Sequence, residues 1–139
     1  MDIAEGVEHP ALNDRDKVAV MYPAARNPVP REVTWLMTDD VIHDFYWLRT
    51  DAPAKTREID AVCRDNTVTI TTANGGDVTA LLDSRLIDFG KPVTFMVDGK
   101  TFKRRLAPSI KTLCETMLRR GDPDLAFAAE VTLTPIPLK

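Results

Sequence analysis

The sequence is poor in the residues that most often carry chemistry. It holds two histidines and two cysteines, and aromatic residues make up 6% of its length. The two cysteines, Cys63 and Cys114, lack the second pair that a zinc knuckle requires. Cys63 falls in a predicted strand and Cys114 in a predicted helix. We predict that both thiols are buried and act as small apolar side chains, with a disulfide between them as the alternative.

Long apolar runs and an excess of basic charge are also missing. No stretch approaches the roughly 18 consecutive apolar residues of a membrane-spanning helix, and the start, Met1-Asp2-Ile3-Ala4-Glu5, is acidic where a signal peptide would be basic. The 18 lysines and arginines are outnumbered by 21 aspartates and glutamates. This balance gives no general attraction to phosphate backbones or anionic lipid. We therefore expect a soluble chain with neither nucleic acid nor a membrane as its partner.

Motifs of catalysis and cofactor binding are absent as well. No serine lies in a Gly-x-Ser-x-Gly elbow, and no Gly-Lys-Ser/Thr sequence follows Gly75-Gly76 to cradle a phosphate. The acidic pairs, Asp39-Asp40 and Asp122 with Asp124, are typical of turns and caps, where carboxylates accept hydrogen bonds from nearby amides. The sequence therefore predicts a non-catalytic chain without a cofactor or metal.

One histidine supports an alternative. His43 is flanked by Asp40 and Asp44, whose carboxylates could raise its pKa or share a cation with it. A small hydrolase or metal-dependent enzyme would use this group. The favoured interpretation is a histidine at a strand edge beside solvated acids.

What the sequence does contain is the composition of one globular domain, with 44% hydrophobic and 28% charged residues. Residues 1–25 lack a sustained period and are predicted to be a lead-in segment or linker, in which 16–22 could form a short strand. Residues 26–139 are predicted to form the domain, entered through the proline-rich stretch Pro23 to Pro30. Predicted strands cover 33–37, 45–49, 58–64, 67–72, 78–82 and 126–134, with a hairpin over 92–106 and a further short strand at 85–87.

Two local patterns are specific. Asp98-Gly99 stands between two β-type runs, which is typical of a type I′ hairpin turn, because both central residues need positive φ. After Pro108-Ser109, apolar residues recur with the spacing of a helix, which predicts a helix there. Gly121 is expected to end this helix in the left-handed conformation. The apolar positions of this amphipathic helix are Ile110, Leu113, Cys114, Met117 and Leu118. With six to eight short strands and one late helix, the fold class is predicted as mostly β, an antiparallel two-layer sandwich of immunoglobulin-like type.

A cluster of aromatic residues supplies the candidate ligand-binding positions, Trp35, Tyr46 and Trp47. Exposed aromatic rings on a sandwich can stack against sugars, so a carbohydrate-binding module is an alternative function. Strand alternation would place Phe45 and Trp47 on one face and Tyr46 on the other. Core packing is the favoured role, because a sandwich core needs such large side chains. The basic run 103–105 is expected to be a solvated edge that discourages aggregation.

Several segments together resemble a known family. These are Arg26-Asn27-Pro28-Val29-Pro30, Val33-Thr34-Trp35, Asp44-Phe45-Tyr46-Trp47-Leu48, the stretch from Lys91-Pro92-Val93 to Asp98-Gly99-Lys100, and Arg120-Gly121-Asp122-Pro123. Over residues 26–134 the chain resembles the C-terminal β-sandwich region appended to α/β-hydrolase-type serine hydrolases of environmental bacteria.

This resemblance implies that catalysis belongs to a preceding hydrolase domain and that the module packs against or extends that domain. No catalytic residue of the family matches a position in this sequence. The expected function is therefore a non-catalytic accessory or interaction module, with a hydrolase domain or another protein as its partner.

Overall fold

The structure is a computed structural model that describes residues 14–134. A first helix, α1 (Asp14–Met21), precedes the strands, and a second, α2 (Ile110–Arg120), lies near the end, followed by a 3-10 turn at Pro123–Leu125. The strands are β1 (Glu32–Leu36), β2 (Asp44–Phe45), β3 (Leu48–Arg49), β4 (Glu58–Arg64), β5 (Thr67–Ala73), β6 (Val78–Leu82), β7 (Val93–Val97), β8 (Lys100–Arg104) and β9 (Ala129–Leu133). Residues 1–13 of the predicted lead-in and the end of the predicted domain at 135–139 lie outside this range.

The strands form two sheets, which confirms the prediction of a mostly β chain. One sheet has the order β1-β4-β5-β7-β8 and the other the order β2-β3-β6-β9. Neighbouring strands are antiparallel except β5 and β7, which run parallel. The parallel pair arises because the chain leaves the first sheet after β5, adds β6 to the second sheet, and returns beside β5. The expectation of purely antiparallel pairing was wrong at this one junction.

Both sheets contribute to one hydrophobic core. Alternate residues of the longer strands point inward, as the sequence pattern predicted, and β6 is buried along its whole length. The fully buried side chains include Trp47, Leu48, Ile59, Val68, Ile70, Val78, Leu82, Val93, Phe95 and Phe127. No helix among residues 14–134 has the length and apolar character needed to cross a membrane.

Tight turns set the register of the two hairpins in the larger sheet. Asp98 and Gly99 have φ values of 44° and 82° between β7 and β8, which confirms the predicted type I′ geometry. Asp65 and Asn66, with φ values of 48° and 59°, make the same kind of turn between β4 and β5. In both hairpins the turn chemistry of the sequence decided which residues face each other.

Three predicted strands were wrong. Residues 16–22 belong largely to helix α1. A run of seven residues is too short to distinguish the two-residue period of a strand from the 3.6-residue period of a helix. Residues 85–87 form a turn in which the amides of Leu86 and Ile87 donate to the carbonyl of Asp83. The run 45–49 is a tight hairpin, because Tyr46 has φ of 50° and reverses the chain between β2 and β3.

Candidate functional site

The predicted aromatic positions are packed mainly inside the protein. Trp47 is completely buried, and its indole Nε1 donates to the carbonyl of Pro30 at 2.7 Å. Trp35 is buried and stacks on Phe45 with ring centroids 5.6 Å apart, while Tyr46 is half-buried in its turn. A sugar-stacking platform requires exposed ring faces, and the two tryptophans do not present them. Their burial matches the favoured interpretation, core packing.

The polar residues considered for enzyme chemistry have local structural contacts. His43 Nδ1 lies 3.0 Å from the carbonyl oxygen of Thr50. Asp39 accepts hydrogen bonds from the amides of Ile42 and Val41, which lower the pKa of its carboxyl group. Asp122 caps the 3-10 turn by accepting from the amide of Asp124. Within residues 14–134 no three His, Cys, Asp or Glu side chains lie close enough together to hold a metal ion.

The two cysteines have opposite environments. Cys63 is completely buried in β4, and burial raises the pKa of its thiol to about 11. Cys114 is exposed on α2, and both thiols are free. The prediction that both are buried was therefore wrong for Cys114, and the alternative of a disulfide is contradicted.

A groove of about 1070 Å³ lies between the β4–β5 turn and the segment 84–91. The guanidinium of Arg31 donates there to the carbonyls of Cys63, Arg85 and Leu86, at 2.8 to 3.3 Å. The side-chain amide of Asn66 donates to the carbonyls of Asp88 and Pro92 at 3.2 Å. These polar side chains bridge loops, so they support the fold at this end of the sheet.

Helix α2 has the predicted limits and caps. The hydroxyl of Ser109 accepts from the amide of Thr112, and Gly121 adopts the left-handed conformation with φ of 63°. The buried residues of the helix are Thr112 and Thr116. The Thr116 hydroxyl accepts from the amide of Phe127 at 2.9 Å, which satisfies a buried donor just before β9.

The apolar side of α2 faces outward. Ile110 and Leu118 are each 81% exposed, Leu113 and Met117 about two fifths exposed, and Cys114 is exposed between them. We call these five residues the outer face of α2. The sequence pattern found the amphipathic helix correctly, but Cys114, which was expected to be buried, lies on its exposed side. A helical period identifies an apolar stripe without identifying the direction in which the stripe points.

The last turn of α2 is fixed by charge. Arg119 and Arg120 both contact the carboxylate of Asp44, at 2.7 and 3.3 Å. The Arg120 side chain is 8% exposed, and this burial lowers the pKa of its guanidinium although Asp44 opposes the shift. Beside this contact, Arg49 of β3 pairs with Glu130 of β9 at 2.9 Å. The two contacts with Asp44 join the last turn of α2 to β2, while the outer face of the helix remains exposed.

No protein-family model matches the chain, and no significantly similar curated protein or solved structure was found.

Proposed function

We propose that the chain is a non-catalytic interaction module of immunoglobulin-like sandwich type, which docks onto the catalytic domain of an α/β-hydrolase through the outer face of α2. The observation that carries the proposal is the outward orientation of Ile110, Leu113, Met117 and Leu118. Burial of the two most exposed side chains, Ile110 and Leu118, in a complex removes apolar surface from water and contributes up to about 1.5–3 kcal/mol each. A contiguous apolar surface of this kind is typical of a protein-binding site.

The helix is also rigid enough to serve as a docking element. Its two ends are capped, Arg119 and Arg120 hold its last turn against Asp44, and Thr116 links its inner side to Phe127. A preorganised helix loses little conformational freedom on binding, so more of the burial energy appears as affinity. An aliphatic and thioether surface fits a folded apolar patch better than a polar ligand.

The choice of a hydrolase domain as the partner follows from the family resemblance over residues 26–134. That resemblance implies a module that packs against a catalytic domain, and the outer face of α2 supplies a surface for such packing. The experiment uses Cys114 as a reporter, because it lies within the outer face whereas Cys63 is buried. An environment-sensitive fluorophore on Cys114 is titrated with each purified α/β-hydrolase catalytic domain encoded by the source organism.

We expect one of these domains to shift the fluorescence saturably. Leu118→Glu should weaken the binding at least tenfold, because it places a charge in the buried interface. Val41→Glu is the matched control, since Val41 is 72% exposed and lies outside α2. Circular dichroism confirms that both variants are folded. Failure of every hydrolase domain to bind, or equal affinity of the two variants, would overturn the proposal, as would a fluorescence shift caused by self-association of the labelled chain.

A further inference from the structure

The strand β8 forms one edge of the five-stranded sheet, and it is strongly basic. All five of its residues are exposed. Lys100, Lys103 and Arg104 lie in the strand, Arg105 follows directly, and no acidic residue occurs between Gly99 and Ala107. The acid nearest in sequence, Asp98, accepts hydrogen bonds from the amide and hydroxyl of Thr72 at 2.8 and 3.0 Å. Four cations therefore line one open edge in a chain whose net charge is -3.

Most of the other basic residues in the described part of the chain pair with an acidic side chain, while Arg31 and Arg57 donate to backbone carbonyls instead. The arginines at positions 26, 49, 64, 85, 119 and 120 all form ion pairs with aspartate or glutamate. Within residues 14–134, no acidic side chain pairs with a cation of 100–105. The charge of the β8 edge is left uncompensated by the described part of the chain.

The backbone of β8 is placed to receive another strand. The two-residue Asp98-Gly99 turn makes Val97 and Lys100 a hydrogen-bonded pair, and such pairs alternate along an antiparallel ladder. The amides and carbonyls of Lys100, Phe102 and Arg104 therefore point toward β7. Those of Thr101 and Lys103 point away from the sheet, with the spacing that a new strand would match.

The side chains of β8 give this edge a specific chemical character. Phe102 is 43% exposed and stacks on the buried ring of Phe95, with centroids 5.3 Å apart. Strand alternation places Lys100 and Arg104 on the same face as Phe102. An incoming strand would thus meet an aromatic surface with a cation on each side.

We propose that β8 binds an extended acidic segment of a partner protein by β-strand addition. Main-chain hydrogen bonds to Thr101 and Lys103 would supply the docking geometry, and carboxylates facing the four cations would supply the selectivity. This inference is independent of the proposed role of α2.

A second copy of the chain is a poor occupant of the same edge. Pairing β8 with itself would bring lysines and arginines against each other, and like charges on neighbouring strands are destabilising. Cations on an edge strand are a common protection against aggregation. At β8 the same protection excludes another β8 while leaving an acidic strand electrostatically favoured.

The experiment uses a fluorescent nine-residue peptide in which glutamate alternates with valine and threonine, titrated with the full chain at low salt and followed by anisotropy. The control peptide carries lysine in place of each glutamate. Thr101→Pro removes an outward amide, and proline is tolerated on an edge strand where its nitrogen faces solvent. Thr101→Val is the matched variant, because it changes the side chain and keeps the amide.

We expect saturable binding of the glutamate peptide, at least tenfold weaker binding of the lysine peptide, and at least tenfold weaker binding of the glutamate peptide to Thr101→Pro than to Thr101→Val. Thermal unfolding establishes that both variants are folded. Equal binding by the two variants would overturn strand addition, as would equal affinity for the two peptides or dimers in sedimentation that Thr101→Pro disrupts. Leu118→Glu should leave peptide binding unchanged, which separates this inference from the role proposed for α2.

Discussion

Helix α2 and strand β9 are neighbours in the structure, and both carry a regular apolar pattern, yet they use it in opposite ways. β9 buries Ala129, Val131 and Leu133, whereas α2 exposes Ile110 and Leu118. The two elements meet where the Ser109 amide donates to the carbonyl of Ala128 at 2.7 Å. An apolar period therefore identifies the type of an element, while the neighbours of that element decide which side is buried.

Hydrogen bonds next to β9 hold the threonine side of α2 against the core. The amide of Phe127 is buried, and a buried donor without a partner costs about 1–3 kcal/mol. Thr116 supplies that partner, and its hydroxyl oxygen also lies within 3.1 Å of the carbonyl oxygens of Thr112 and Phe127. A leucine in this position would bury more apolar surface but could not accept the hydrogen bond.

The largest effect is expected from a matched pair of leucines. Leu133→Ala should lower the free energy of unfolding by about 3 kcal/mol, because it removes a side chain that is 2% exposed and leaves a cavity in the core. Leu118→Ala should change it by less than about 0.5 kcal/mol, since that side chain is mostly in water. Urea denaturation measures both values. Equal losses for the two variants would mean that the outer face of α2 is buried in solution.

The two cysteines differ in the same way, because Cys63 lies in the core and Cys114 lies on the outer face of α2. With a pKa of about 11, roughly one Cys63 thiol in a thousand is ionised at pH 8, where an ordinary thiol is about one quarter ionised. We expect an aromatic disulfide reagent to titrate one thiol quickly in the native protein and the second only in denaturant. The Cys114→Ser variant should lose the fast phase. A fast phase that survives this substitution would show that β4 opens readily.

The smallest effect separates the two buried threonines of α2. Thr116→Val should lower the free energy of unfolding by about 1–2 kcal/mol, because it leaves the Phe127 amide without an acceptor. Thr112→Val is the control, since no side-chain hydrogen bond of Thr112 occurs within residues 14–134 and the substitution keeps its shape. Thermal or urea unfolding measures the difference. Equal losses of unfolding free energy for the two variants would contradict a stabilising hydrogen bond between Thr116 and the Phe127 amide.

Much of the fold could be predicted because it depends on local chemistry. The Asp98-Gly99 turn, the limits of α2 and the alternation of β4, β5 and β9 all follow from the preferences of neighbouring residues. The hairpin at Tyr46 was missed because its reversal uses a non-glycine residue with positive φ, which a run of aromatic residues does not suggest.

The candidate surfaces were harder to find. The outer face of α2 was visible as an apolar pattern, but Cys114 within it was predicted to be buried. The basic run 103–105 was predicted to be an exposed edge, and its residues are exposed on and just after β8. The unpaired charge of that edge became apparent only from the structure, in which six arginines elsewhere form ion pairs, because pairing depends on residues that are distant in the chain.

By itself, the sequence determined the β-rich class, the hairpin turns and the single capped helix near the end, because these depend on φ preferences, residue period and capping over a few positions. The tertiary structure alone decided the parallel pairing of β5 with β7 and the outward direction of the apolar side of α2. These features depend on which distant groups meet, as when the hydroxyl of Thr116 accepts a hydrogen bond from the buried amide of Phe127.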